Sequence, residues 1–136
     1  MPEKPTPQCR AIVLCDVIYR DELSKKLILV GTFHTLYTLQ LPAVHPLMSV
    51  YLALTEGQGA YALKLLIEHV ESQQSMFETT GPLTFDNPNQ VIEMNVPLNG
   101  LRFGAPGAYD VQAWLDHELV GQTKFFVSLV EREVHP

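Results

Sequence analysis

The chain has 136 residues, 46% hydrophobic and 18% charged, with nine Lys or Arg against fifteen Asp or Glu and a formal net charge of -6. That is one ordinary globular domain, long enough to bury roughly two-thirds of its surface on folding. A pI near 5.2 with no basic cluster argues against nucleic acid or an anionic membrane as partner. No apolar run approaches the ~18 residues of a spanning helix, and Met1 to Gln8 lacks the core of a secretory signal, so a cytoplasmic location is expected.

Residues 1–9 carry Pro2, Pro5 and Pro7 and few apolar side chains, which predicts a flexible lead-in to a domain over 10–132. Ala11 to Tyr19 is rich in β-branched residues and predicts a strand, with a second at Leu27 to Val30. Pro42 and Pro46 make Leu41 to Pro46 a loop on the rule that a central ladder tolerates no proline. Met48 to Thr55 predicts a third strand, with Met48, Val50, Leu52 and Leu54 on one face.

Gly59 to His69 alternates cleanly, Tyr61, Leu63, Leu65 and Ile67 opposing Lys64, Leu66 and Glu68. Weaker strands are expected at Ser75 to Thr79 and Leu83 to Phe85, a turn at Asp86 to Asn89, and a strand at Val91 to Val96. Pro97 to Pro106 reads as a loop, and Ala108 to Asp116 with Gln122 to Arg132 as a closing hairpin. Seven to nine short strands without a helix predict a single antiparallel β-sandwich, immunoglobulin-like or C2-like.

Gly59 to His69 also aligns without gaps on Gly107 to His117, with identity at the Gly, Ala, Tyr and His positions. The alternatives are a duplication carrying two ligand loops, or a shared way of opening a strand; the second is favoured. In it, Gly frees the corner, the Tyr ring fills the core and its hydroxyl caps a backbone group. The order Leu14-Cys15-Asp16, Leu29 to Phe33, Leu41 to Pro46 and the two Gly-x-Tyr strands resembles a family of small bacterial proteins of unknown function. The resemblance spans residues 10 to 130 and implies an immunoglobulin-like or related sandwich in a bacterial cytoplasm. It implies no established activity.

Little in the chain points to catalysis. Six residues of extended chain put the Cα atoms of Cys9 and Cys15 about 20 Å apart, beyond the ~7 Å limit of a disulfide. Both should be reduced, with Cys15 a small buried hydrophobe. His34, His45, His69, His117 and His135 show no chelating spacing, so no metal or other cofactor is expected. A small enzyme or ligand-binding protein with a site at His45, His69 or His117, near Glu71 and Glu118, requires that distant turns meet. There is no Gly-x-Ser-x-Gly elbow, no phosphate loop around Gly100 and Gly104, and only Asp86, Asn87 and Asn89 as calcium-ligand candidates.

What remains is surface. Leu66 and Trp114 fall at equivalent positions on the wet face of the alternating strands. A three-residue turn at His117-Glu118-Leu119 sets Val111 opposite Phe125 and Tyr109 opposite Val127, and sends Phe126 and Val130 outward beside Trp114. The first strand is apolar on both sides, Ile12 and Leu14 opposing Val13, Cys15 and Val17. Such faces predict a non-enzymatic binding module, homodimeric or bound to a protein partner, unless the loops at 41–46 and 97–106 fold over them.

Overall fold

The computed structural model describes residues 4–131; residues 1–3 of the lead-in, Arg132 of the last predicted strand and His135 lie outside the described residues. Nine strands form the chain: β1 Gln8–Arg20, β2 Leu27–Thr32, β3 Thr35–Thr38, β4 Ala43–Thr55, β5 Gly59–His69, β6 Gln74–Phe85, β7 Val91–Phe103, β8 Gly107–Leu115 and β9 Glu118–Leu129. They build a four-stranded sheet in the order β2-β1-β4-β7 and a five-stranded sheet in the order β3-β9-β8-β5-β6. All pairs are antiparallel except β3 with β9. The fold is an all-β sandwich, and the described residues hold no helix long and apolar enough to cross a membrane.

The core lies between the sheets, where Leu14, Met48, Val50, Leu52 and Leu54 meet Tyr61, Leu65, Ile67, Val111 and Phe125. At one end Phe103, Tyr109 and Phe125 pack ring to ring with centroids 5.2 to 5.7 Å apart. The alternation of β5 and β8 turns their odd-numbered residues into this core, so the period-2 pattern is realised there directly.

The prolines behave differently from the expected loops. β7 runs through Pro97, because β7 is an edge strand and one side of its backbone needs no partner. β4 includes Pro46 for a related reason: between Ala43 and Leu47 it pairs with β7 alone, and its pairing with β1 begins only at Ser49. The two weak strands expected in 75–85 are one edge strand, β6, with Pro82 inside it. β3, which was not expected, lies parallel to β9.

The final hairpin also departs from its expected register. Its turn holds two residues, Asp116 and His117, with Leu115 opposite Glu118. A bulge between Ala113 and Trp114 then leaves Val120 as the extra residue, so Tyr109 faces Phe125 and Val111 faces Thr123. Gly121, which pairs with Ala113 beside this bulge, lies against β1, where a Cβ would stand 2.7 Å from Cys9 Sγ. A side chain there would block the close approach of β1 to β9.

The lead-in is docked from Lys4 to Pro7. The Tyr61 hydroxyl donates to the Pro5 carbonyl at 2.7 Å and accepts from the Gln58 N–H at 3.1 Å. Lys4 places its ammonium over the Tyr61 ring, donates to the Ala60 carbonyl, and meets Asp116 at 3.3 Å. Pro7 is buried, and the first strand starts at Gln8 instead of Ala11.

Candidate functional site

The repeated Gly-Ala-Tyr opening plays the same structural part twice. Gly59 and Gly107 take φ of 85° and 114°, a region that side chains avoid. Tyr109 is buried and donates to the Ala105 carbonyl of the preceding loop, as Tyr61 does to Pro5. Each ring fills the core while its hydroxyl satisfies a loop carbonyl that has no ladder partner.

The histidines do not converge. β8 runs from Gly107, beside His69, to Leu115, beside His117, so about eight residues of strand and roughly 27 Å separate the two turns. His69 Nε2 bonds the Pro106 carbonyl at 3.0 Å and must carry the proton there; Nδ1 then accepts from Ser72 Oγ at 2.8 Å. Both nitrogens are committed, and the ring clips the 70–73 turn to the 104–106 loop. Glu71 belongs to that turn, whereas Glu118 opens β9.

His45 sits elsewhere, half-buried beside the Phe33 ring at 6.1 Å, and lines a separate cavity of about 80 Å³. Its buried Nε2 has no partner among the described residues. His34 bonds its neighbour Thr35, and His117 is exposed in the hairpin turn. Among the 86–89 residues, Asn87 Oδ1 accepts from the Asn89 N–H at 2.9 Å, an ordinary Asx turn.

The thiols are free and poorly disposed to react. Burial pushes both the Cys9 and the Cys15 thiol up, and for Cys15 the nearby Asp16 charge adds to the rise. A thiol held protonated is a weak nucleophile. Tyr51 is held still more firmly: its phenol, partly desolvated and bonded to the Glu93 carboxylate, is pushed up to about 12.

The two outer faces differ in kind. On the five-stranded sheet, Leu66, Trp114 and Phe126 do point away from the core, and Val130 follows β9 with its N–H on the Thr38 carbonyl. Trp114 is engaged within that face: its indole N–H donates to Gln112 Oε1 at 3.0 Å, Gln112 donates to Asp110 at 2.9 Å, and Lys64 lies 5.2 Å over the ring. Phe126 pairs with Ala108, six residues and roughly 20 Å along β8 from Trp114. Lys124, Asp110 and Glu68 fill a row between them. The two aromatics therefore do not form one patch.

The four-stranded sheet presents a continuous apolar strip. Its outer rows are Tyr19 with Ile28, Val17 with Val30, Cys15 with Thr32 and Ser49, Val13 with Tyr51, and Ala11 with Ala53. Tyr19, Ile28, Val30 and Leu47 are 58%, 49%, 43% and 40% exposed. Cys15, Ser49 and Ala53 are sunk among larger neighbours and fully or nearly shielded. No charged residue stands at these positions, and Glu93, bonded to Tyr51, marks one end.

The sandwich resembles part of a DNA-bound alkylpurine DNA glycosylase, AlkC of Pseudomonas fluorescens, with a TM-score of 0.51 and 7% identity. The likeness covers 90% of this chain and 30% of that one, so this chain spans under a third of the glycosylase, and it shows a shared fold alone. No curated protein matches the sequence. Over residues 10–128 the sequence matches the family of unknown function DUF6941, and the chain belongs to that family.

Proposed function

We propose that this protein is a binding module that pairs with a second copy of itself through the outer face of the four-stranded sheet. The observation that carries the reading is the uncharged strip from Ala11 to Tyr19 on β1 with its flanking Ile28, Val30, Leu47 and Tyr51. Contiguous apolar surface of this kind on a soluble domain marks an interaction site. Eight residue steps at ~3.4 Å and three strands, β1, β2 and β4, at ~4.8 Å give a footprint of about 400 Å² per copy. Two copies then bury on the order of 800 Å², the scale of a transient contact, so the dimer is weak and exchanging.

An in-plane two-fold axis through the centre at Cys15 and Ser49 lays the uncharged strip of one copy along that of the other, an isologous contact that places no charge at its middle. An immunoglobulin-like lineage and a bacterial cytoplasm belong to the same proposal; two free thiols suit a reducing compartment.

Sedimentation velocity across a concentration series tests the reading. Val30→Lys should abolish the concentration-dependent shift, while Phe126→Lys on the opposite face should leave it intact. A shift lost only in Phe126→Lys would move the interface to the five-stranded sheet, and no shift in the unaltered protein at millimolar concentration would end the proposal.

A further inference from the structure

The geometry points to a second, independent site: an anion-binding cleft at the end of the sandwich, built around Arg102, that takes a small carboxylate with a compact apolar body. The cleft has a volume of about 360 Å³ and opens between the 70–73 turn, the start of β6, the end of β7 and the 104–106 loop. That volume falls within the range of small-molecule sites.

Its charge is one-sided. Arg102 lines the cleft and no carboxylate does, in a chain whose formal charge is -6. The ion pairs among the described residues use Lys4 and Lys64, at 3.3 and 3.9 Å, and the Arg102 guanidinium has no partner among those residues. A guanidinium presents a planar fork of N–H donors matched to a carboxylate, and the exposed Arg102 offers that fork at the cleft mouth. Gln74 and Ser75 add a side-chain amide and a hydroxyl on the same rim.

The remaining wall supplies shape. Met76, Ala105 and the Tyr109 ring give an apolar side, and the Tyr109 hydroxyl is already spent on Ala105. His69 is spent as well, donating to Pro106 and accepting from Ser72, so it locks both rims in place. The cleft is thus held open before any ligand arrives, which lowers the cost of binding. It has donors for an anion and an apolar wall, and its one imidazole has no free nitrogen to act as a base. That combination binds an organic acid without turning it over.

Two-dimensional amide NMR with phenylacetate as the probe tests the site, with phenylacetamide and inorganic phosphate as comparisons. Phenylacetate should move the amides of Ser72, Ser75 and Gly104 in the millimolar range, and phenylacetamide should not. Arg102→Gln, at an exposed position without partners, should keep the fold and weaken phenylacetate by about tenfold, the loss of one charge-assisted contact. Equal shifts with phosphate and phenylacetate would overturn the apolar half of the inference. No shift with phenylacetate, or the same shift in Arg102→Gln, would overturn the site itself. Neither result bears on the sheet face, whose test is the state of association.

Discussion

β1 and β8 each hold an inner position in their sheets and each bury one face in the same core, yet their outward sides are unlike. β8 turns out Asp110, Gln112 and Trp114, which bond to one another along the strand. β1 turns out Val13, Cys15, Val17 and Tyr19, whose cross-strand partners on β2 and β4 are all uncharged. A large aromatic amid polar residues can be satisfied within its own face, whereas an apolar run on both sides of a strand leaves surface that only another body can cover. Trp114 is the more conspicuous residue, and β1 the more informative strand.

The comparison is broken most severely from inside. Tyr109→Ser removes a buried ring stacked on Phe125 at 5.3 Å and should cost about 3 to 5 kcal/mol, read as a lost or strongly lowered thermal transition. Gly121→Ala tests the close approach of β1 to β9. With Cys9 Sγ only 2.7 Å from the added methyl, it should cost about 1 to 3 kcal/mol by denaturant melts, partly recovered by Cys9→Ala in the double variant.

Smaller effects separate the outer faces. Trp114→Ser should lower stability by roughly 1 to 2 kcal/mol, because it removes ring contacts with Lys64 and its bond to Gln112, and should leave association unchanged. Val30→Lys should show the reverse, with stability altered by less than about 0.5 kcal/mol and association lost. A stability loss in Val30→Lys as large as that of Tyr109→Ser would mean that the strip is packed within the fold.

The smallest effect is in pH. The Tyr51 phenol is raised, so its contribution to stability is present below its ordinary value near 10 and is lost as pH rises through about 12. Near-ultraviolet absorbance titration should show two late tyrosines, Tyr51 and the buried Tyr109, and Glu93→Gln should bring only Tyr51 down by removing the adjacent charge. A Tyr51 titration unchanged in Glu93→Gln would leave burial as the whole cause.

The sequence made much of this legible. Alternation in β5 and β8 placed the core side chains, and the shared Gly-x-Tyr opening was readable because only a glycine accepts such φ values while the ring is buried. The two-sided apolarity of β1 was readable too. What escaped was whatever depends on partners across strands. The cation over the Trp114 ring needs the pairing of β8 with β5, and the register of the final hairpin turned on a bulge between Ala113 and Trp114. Pro46 and Pro97 were misread as strand breakers because which backbone sides lack a partner is a property of sheet order, not of local sequence. The cleft at Arg102 gathers residues from β5, β6, β7 and β8, and no spacing reveals such a gathering.

The central claim is that the outer face of β1, β2 and β4 is covered by a second copy, and solvent paramagnetic relaxation of methyl groups tests it most directly. With a soluble gadolinium chelate, the methyls of Val17, Ile28 and Val30 should relax fast in dilute protein and become protected as concentration rises, while the exposed Phe126 ring stays accessible throughout. Protection of Val17, Ile28 and Val30 that does not change with concentration, or that appears at Phe126 instead, would contradict the account.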